Sequence, residues 1–535
     1  MKISRLLLFF LVICFCFVLF IGIGSPMVVM AEPKEGGSII FAQSKAPRAI
    51  DPNNFMFDRH SIALGAAIFD RMLYYDSVTG EVLPGLCKEW SESEDGLEYI
   101  LVMQEGINFH DGTPLNAEAV KFTLDRIMEW ENGAKYRLGD YDHSEVLDEY
   151  TLKIIFSAPL PSFIMELAAD AGLSPVSPSA VRKYGNEEFE KYLVGCGPFM
   201  VKEYVLRDHI TIIKNPDYNW ASSYMQHQGL AYLDEISVNF IVEPGTRIAA
   251  LETDTVQLIN YAPSQELARL DADPKYEVVA GTIKGHPTCF QINVSSPPTD
   301  DKRVRQAMGW SLDRNEIVDI VWNGMVPIST TPLAKGTPGY VPELEGKYAG
   351  YDPEKATTLL DSAGWKMGPS GYREKNNKIL EVNIFLFENR LLGEIIQAQW
   401  KKVGIKANVV MDSLTTWNVH RKAGIGGDLS FMRWTAIEPR VITQLYLSTN
   451  AEEGNNMIFQ KNEELDELLL AGQREINPDK RYEYYKAAQE IICEEAYSVI
   501  LYMTPQIHAM RSNIGGFHLL SKGVGPVLYD LYLKK

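Results

Sequence analysis

Residues 95–120, DGLEYILVMQEGINFHDGTPLNAEAV, fix the order of local structure more tightly than any other stretch of the chain. A turn at Asp95-Gly96 opens an alternating apolar run over 97–103 that reads as a half-buried strand, and Gly106 marks a second turn. His110-Asp111-Gly112-Thr113-Pro114 then forms a tight corner. Asn116 stands where a helix cap belongs, before a helix over 117–130 whose Val120, Leu124 and Ile127 share one face. No metal-ligating or catalytic partner sits at the right spacing from His110 and Asp111, so they are expected to hold the corner through side-chain to backbone hydrogen bonds.

The rest of the chain alternates in the same manner. Strands are expected at 38–43, at 210–212 following Tyr204, and at 232–242, with a helix near 247–251. Beyond Pro297 come a helix at Val304, then one opened by an Asp313/Glu316 capping box and running to about Val321. In YDPEKATTLLDSAGW, Asp352 caps, Pro353 takes the first helical position, Ala356, Leu359, Leu360 and Ala363 share a face, and Gly364 ends the helix. A strand at 380–386, a helix at 392–403 and a strand at 405–410 follow. Asn477-Pro478-Asp479 divides a helical stretch over 462–495, and 497–503 returns as an apolar strand. Such alternation builds an α/β fold of mixed or parallel sheets covered by helices, and 535 residues exceed one core, so two or more domains are expected.

The amino terminus speaks to location. Lys2 and Arg5 precede an apolar run over 6–23, Gly24-Ser25-Pro26 breaks it, and Val29-Met30-Ala31 offers small-residue cleavage before Glu32. Residues 1–31 thus read as a secretory signal, and the protein as exported, periplasmic or extracellular. The alternative is a membrane tether through an uncleaved N-terminal segment, since the run is long enough to span. Cys14 and Cys16 follow Ile13 and Phe15, where lipidation requires a small residue, so no acyl anchor is expected.

Composition and motifs then exclude several functions. The formal net charge of −19 becomes two units more negative when Lys2 and Arg5 leave, which disfavours nucleic acid and anionic lipid. Cys87, Cys196, Cys289 and Cys493 lack zinc spacing; a Cys196–Cys289 bridge and buried free thiols both stay open. No nucleophile elbow, P-loop or His-Glu-x-x-His occurs, and Gly424-Ile425-Gly426-Gly427 lacks the strand that precedes a dinucleotide loop. Catalysis, cofactors and metals are therefore not expected.

Eight blocks, in order along the chain, resemble the family 5 extracellular solute-binding proteins of ABC transporters. They are Ile50-Asp51-Pro52, IFDRMLYYDSVTGEVLPGLCKEW at 68–90, the 95–120 segment, and Gly195-Cys196-Gly197-Pro198-Phe199. Asn215-Pro216-Asp217-Tyr218, Tyr232-Leu233-Asp234-Glu235-Ile236, DKRVRQAMGWSLDR at 301–314 and YDPEKATTLLDSAGW at 351–365 complete the set. The resemblance implies a two-lobed periplasmic-binding-protein-like fold with an extra domain, its discontinuous domains joined by a two-strand hinge. Residues 36–75, 194–285 and 505–535 would form the first lobe, 76–193 an extra domain beside it, and 290–504 the second lobe. The hinge would lie near 286–293 and 497–505. The implied partners are a peptide-like or other small polar solute, permease subunits in the membrane and their cytoplasmic ATPases. Receptors for oligosaccharides or metal chelates, a surface adhesion module and a secreted hydrolase are the alternatives.

For the pocket, the resemblance points to FMRWTAIEP at 431–439, with Trp434 as a stacking wall and Arg433 and Thr435 as polar partners. Secondary candidates are Asn53, Asn54 and Phe55 after the Ile-Asp-Pro turn, Asn293, and Trp417 and Tyr446 flanking the Trp434 segment. Peptide binders of the family carry an Asp just past the Trp, and here Ala436-Ile437 stands in its place. Nickel binders carry a His further on, and 448–455 has none. Asp428, Glu438, Arg440 and Asn450 are the charged and polar groups nearby.

Overall fold

A computed structural model describes residues 32–54, 58–422, 428–451 and 456–535. The signal segment with Cys14 and Cys16, Phe55 and the glycine run at 424–427 lie outside the described residues.

Apolar alternation along the strands builds two large mixed sheets. Seven strands form the first, in the order Tyr276–Thr282, Pro505–Arg511, Leu258–Asn260, Ser38–Gln43, Glu235–Phe240, His209–Lys214 and Phe199–Val205. Ser38–Gln43 runs parallel to both of its neighbours, and the outer pairs are antiparallel. The period of two decides which face each side chain takes. Ile39 and Phe41 enter one core, while Ile40 and Ala42 pack on the opposite face with Ile259 and Ala509. The second sheet orders Lys406–Met411, Glu381–Leu386, Leu429–Thr435, Gly285–Ile292 and Ser498–Tyr502. Its first three strands are parallel, and Phe290, Phe431 and Ile384 face one core while Cys289 and Met432 face another.

A third sheet of four antiparallel strands, Cys87–Glu92, Glu98–Met103, Thr151–Phe156 and Tyr141–Val146, is backed by the helix Ala117–Glu129. Its Tyr99, Leu101 and Ile154 belong to the same continuous core as Phe41 and Ile236, so this region is fused to the seven-stranded lobe. The corner forms as expected. Asp111 accepts from Thr113 N at 3.1 Å and Ser177 Oγ at 2.6 Å, His110 Nε2 lies 3.0 Å from the Gly197 carbonyl, and Asn116 accepts from Ala119 N.

The chain passes between the two large sheets at 283–284, just ahead of the expected 286–293, which is instead largely strand Gly285–Ile292 of the second sheet, and again at 503–504, within the expected 497–505. These crossings lie side by side, with Ile283 N donating to the Thr504 carbonyl at 2.8 Å and the Thr288 and Thr504 hydroxyls 2.9 Å apart. Gly285 has φ +109°, and a Cβ there would meet Ala436 N at 2.4 Å, so only glycine lets the chain enter the second sheet this close to strand Leu429–Thr435.

Several local expectations are modified by tertiary partners. Asp313 caps helix Arg314–Trp322 through Asn315 N and Glu316 N, but the return arm of a capping box is absent. Gln399 replaces it, accepting from Asp313 N at 2.9 Å and donating to Glu316 at 2.8 Å, because helix Arg390–Lys402 packs where Glu316 would fold back. The four described cysteines are buried free thiols, so Cys196 and Cys289 form no bridge; each sits in a separate core. Asn53 is fully buried and committed to Arg126 and the Ser174 carbonyl, which makes it a structural residue.

The Ile-Asp-Pro turn is anchored in the same place. Asp51 forms a two-pronged ion pair with Arg126, at 2.6 and 3.1 Å, with both side chains almost wholly buried. Glu190 adds to it by accepting from Ile50 N and Asp51 N at 2.8 and 2.9 Å. Burial, assisted by the Asp51 charge and opposed by those N–H donors and Arg126, pushes the Glu190 carboxyl up from 4.5 to about 7. Between those values the folded protein holds a proton that the unfolded chain has released, so this group's contribution to stability is lost as pH rises through the window. Glu190→Gln is therefore expected to flatten the decline of the melting midpoint across it. A slope equal to that of wild type would remove Glu190 from the account.

Candidate functional site

Open α/β sheets bind ligands beyond the C-terminal ends of parallel strands, because there the loops diverge and leave backbone and side chains free to converge. Both large sheets point such ends at a shared cleft. Lys45 follows Ser38–Gln43, Tyr261 follows Leu258–Asn260, Glu388 follows Glu381–Leu386, and Arg433, Trp434 and Thr435 end Leu429–Thr435. Asn389, in the left-handed conformation, turns the chain after Glu388 and caps helix Arg390–Lys402 by accepting from Leu392 N.

The lobes meet in the structure described. Between them a cavity of about 50 Å³ is lined by Trp434, Thr435, Ala436 and Arg440 on one side and Tyr136 and Arg137 on the other. Arg440 bridges it, donating to the Tyr136 carbonyl at 2.6 Å and to Ser162 Oγ at 3.3 Å. A larger hollow of about 380 Å³ is lined by Thr113, Asn116, Lys121 and Arg182 on the outside of the four-stranded region and includes no residue of the second large sheet.

Charge in the cleft is arranged in two groups. Near the Trp434 end, Asp170 accepts from Arg137 at 3.1 Å and pairs with Lys522 at 2.5 Å, with Glu166 3.4 Å from Arg137. Burial works against the Asp170 charge, but the two cations prevail and hold its carboxyl well below the usual range. At the other end Arg433 grips Glu388 through both nitrogens, at 2.6 and 2.8 Å, and Arg59 approaches the same carboxylate from the opposite lobe at 3.9 Å. Arg59 lies over the Tyr261 ring, 5.4 Å from its centre, and Tyr261 donates to Gln506 at 2.8 Å. Burial, then the neighbouring Arg59, Lys45 and Arg433, push His60 well below its ordinary value, so it is neutral.

The sequence-selected residues divide accordingly. Trp434 and Thr435 are half-buried and line the cleft, and Arg433 stands beside them with its guanidinium committed to Glu388. Trp417 is packed in the second lobe's core, its ring 5.0 Å from Phe387. Tyr446 is fully buried, its hydroxyl 2.8 Å from both His286 Nε2 and Ser498 Oγ. Asn293 turns back on Ser295, accepting from its N–H and hydroxyl. Asn54 is half-buried and bridges to Gly133. Glu438 is paired with Arg481 at 2.5 Å, and Asp428 accepts from Asn383 N at 2.8 Å. Lys45, Arg59, Tyr261, Glu388, Arg137 and Lys522 escaped the sequence reading. The positions of the first, third and fourth, one or two residues past a strand, were the available signal. Among the described residues no cluster of metal-ligating side chains occurs, and no helix is long and apolar enough to cross a membrane.

Two lobes that aim strand ends at a common cleft, with two adjacent crossings behind it, define a binding protein that encloses a solute. The chain belongs to the bacterial extracellular solute-binding proteins, family 5, whose middle region matches residues 81–456. It is 25% identical to the dipeptide-binding protein of Escherichia coli (strain K12), over 93% of this chain and 95% of that one. It is 29% identical to the glutathione-binding protein GsiB of the same strain, over 81% and 83%. In structure it is similar to NikA from Brucella suis in complex with Fe(III)-EDTA, with a TM-score of 0.82 at 20% identity, covering 93% and 100% of the two chains.

Proposed function

We propose that the protein is the exported receptor of an ABC importer, which encloses a peptide-like or other small polar solute between its lobes and presents it to membrane permease subunits served by cytoplasmic ATPases. The observation that carries this is the cleft itself: parallel strands of both sheets end in it, and Arg440 ties one wall to the other. The expected lobes, 36–75, 194–285 and 505–535 with 76–193 attached against 290–504, then move about the crossings at 283–284 and 503–504, which trims the first lobe to end at 282 and starts the second at Gly285. Trp434, Arg433 and Thr435 are the proposed solute contacts of the second lobe. Relatives that bind a dipeptide and glutathione support a peptide-like solute. Ala436-Ile437 in place of the family's Asp, with Glu438 held by Arg481, argues against anchoring a free peptide amino terminus there.

A receptor that encloses its solute between two lobes opens to admit it and recloses over it, a hinge motion about the two crossings. Small-angle scattering is expected to show a larger radius of gyration for the solute-stripped protein and a return to the closed value on adding the solute recovered from it. An unchanged radius would favour a rigid adhesion module instead.

A further inference from the structure

Two contacts of the second lobe fall on the four-stranded region, residues 76–193, outside the seven-stranded sheet. The first is made by Arg440, which opens helix Arg440–Tyr446 and is almost wholly buried. Its guanidinium donates to the Tyr136 carbonyl at 2.6 Å and to Ser162 Oγ at 3.3 Å. Both acceptors are neutral, and Glu438, two positions earlier, is already taken by Arg481. Ser162 stands at the N-cap of helix Phe163–Ala169, where a serine oxygen ordinarily accepts from the first turn, yet it makes no such bond and is fully buried. Its hydroxyl is turned to the other lobe instead. The second contact lies at the hairpin tip between strands Cys87–Glu92 and Glu98–Met103. Gly96, with φ +66°, is buried there although its neighbours Glu94 and Asp95 are exposed, because Ile476 of the second lobe covers it; a Cβ on Gly96 would meet Ile476 Cδ1 at 3.0 Å.

We infer that Arg440 is a closure latch, which fastens the second lobe to the four-stranded region at Tyr136 and Ser162, with Ile476 on Gly96 as the second foot of the same contact. The inference rests on the receptor reading above and adds where the second lobe comes to rest and which residue holds it there. The chemistry suits a contact that is made and broken. Opening exposes a guanidinium, a hydroxyl and a carbonyl that water satisfies at once, so neither state leaves a buried charge without a partner. A carboxylate in place of the neutral acceptors would add an ion pair and hold the lobes more firmly. The second lobe fixes its own side of the latch, since Glu438 is tied to Arg481 and Pro439 starts the helix that carries Arg440. Ile476 adds apolar area that favours closing whatever solute lies in the cleft. Solute retention then depends on a contact between the lobes as well as on the side chains that face the solute.

The test is cross-linking of the exported protein, with no added solute. Gly96→Cys/Ile476→Cys places one thiol on each side of the second contact, and shortening Ile476 frees the space a Cβ on Gly96 needs. The four described cysteines are buried, so a short bismaleimide reacts with the introduced pair, and protein without that pair sets the background. Each molecule ends with one linker across both thiols or with two linkers, one on each, and intact mass gives the ratio. The bridged form is expected to dominate. Adding Arg440→Gln should lower the ratio about tenfold, the scale of a hydrogen bond to a charged group, and Ser162→Ala about threefold, the scale of a single hydrogen bond. Arg440→Lys keeps the charge but not the fork and should fall between Gln and wild type. Melting midpoints should stay close to that of the parent, since the contact joins two lobes instead of filling a core. A ratio unchanged by Arg440→Gln and Ser162→Ala overturns the latch, and so does a parent that yields no bridged form. A collapse of the midpoint in both variants would make these core residues and overturns it as well. None of these outcomes decides the receptor reading, which stands or falls on the scattering change above.

Discussion

Asp51→Ala is expected to lower unfolding stability by about 3–5 kcal/mol, the cost of stripping one partner from a buried ion pair. Arg126 is wholly enclosed, its guanidinium shared between Asp51, Asn53 and Asn186 and flanked by Trp130 and Phe189. Without Asp51 it loses its ion-pair partner among the described residues and stays buried. The effect spreads because Arg126 lies on helix Ala117–Glu129, against the four-stranded sheet, while Asp51 belongs to the turn that follows the first strand of the seven-stranded sheet. Urea denaturation of the single variant beside Asp51→Leu/Arg126→Met separates the pair's net worth from the cost of orphaning a charge. The double variant should recover most of the loss. A single-variant loss below about 1 kcal/mol, the ceiling for exposed pairs, would show that water reaches this site.

Trp434→Ala is expected to weaken solute binding by about 2 kcal/mol or more, roughly thirtyfold, while the melting midpoint stays close to that of wild type. The split follows from position. Trp434 is half-buried at the end of its strand and lines the cleft, so truncation removes a wall of the pocket and little of the core. Trp417→Ala, by contrast, empties a packed core position beside Phe387 and should destabilise the fold first. Calorimetry with the recovered solute and a thermal melt on each variant distinguish them. Unchanged affinity in Trp434→Ala, or a collapse of its midpoint, would return Trp434 to the core.

What could be read along the chain was whatever is decided locally. The caps at Asn116, Asp352 and Asn477, the strand over Glu98–Met103 and the helix break at Asn477-Pro478 depend on residues a few positions apart, and each forms as expected. The family was legible too, because its recurring blocks are these same turns and caps. The charged group at the Arg433 end of the cleft was not legible, since Arg59 and Glu388 meet only after two sheets have formed and docked. Burial was hidden for the same reason: Trp417, Tyr446 and Trp434 look alike as aromatics near one segment, yet only Trp434 lines the cleft. The Asp313–Glu316 box failed as drawn because Gln399, from a later helix, takes the intervening bonds.

The strand order of the first sheet bears on how such a chain is made. Pro505–Arg511, almost the last strand, lies between Leu258–Asn260 and Tyr276–Thr282, and Tyr532–Lys534 pairs with Pro33–Lys34 at the other end of the chain. Pairings this distant in sequence are slow to form, because loop closure has to precede every contact it permits. The first lobe's sheets therefore stay incomplete until the strands at 505–511 and 532–534 have been made.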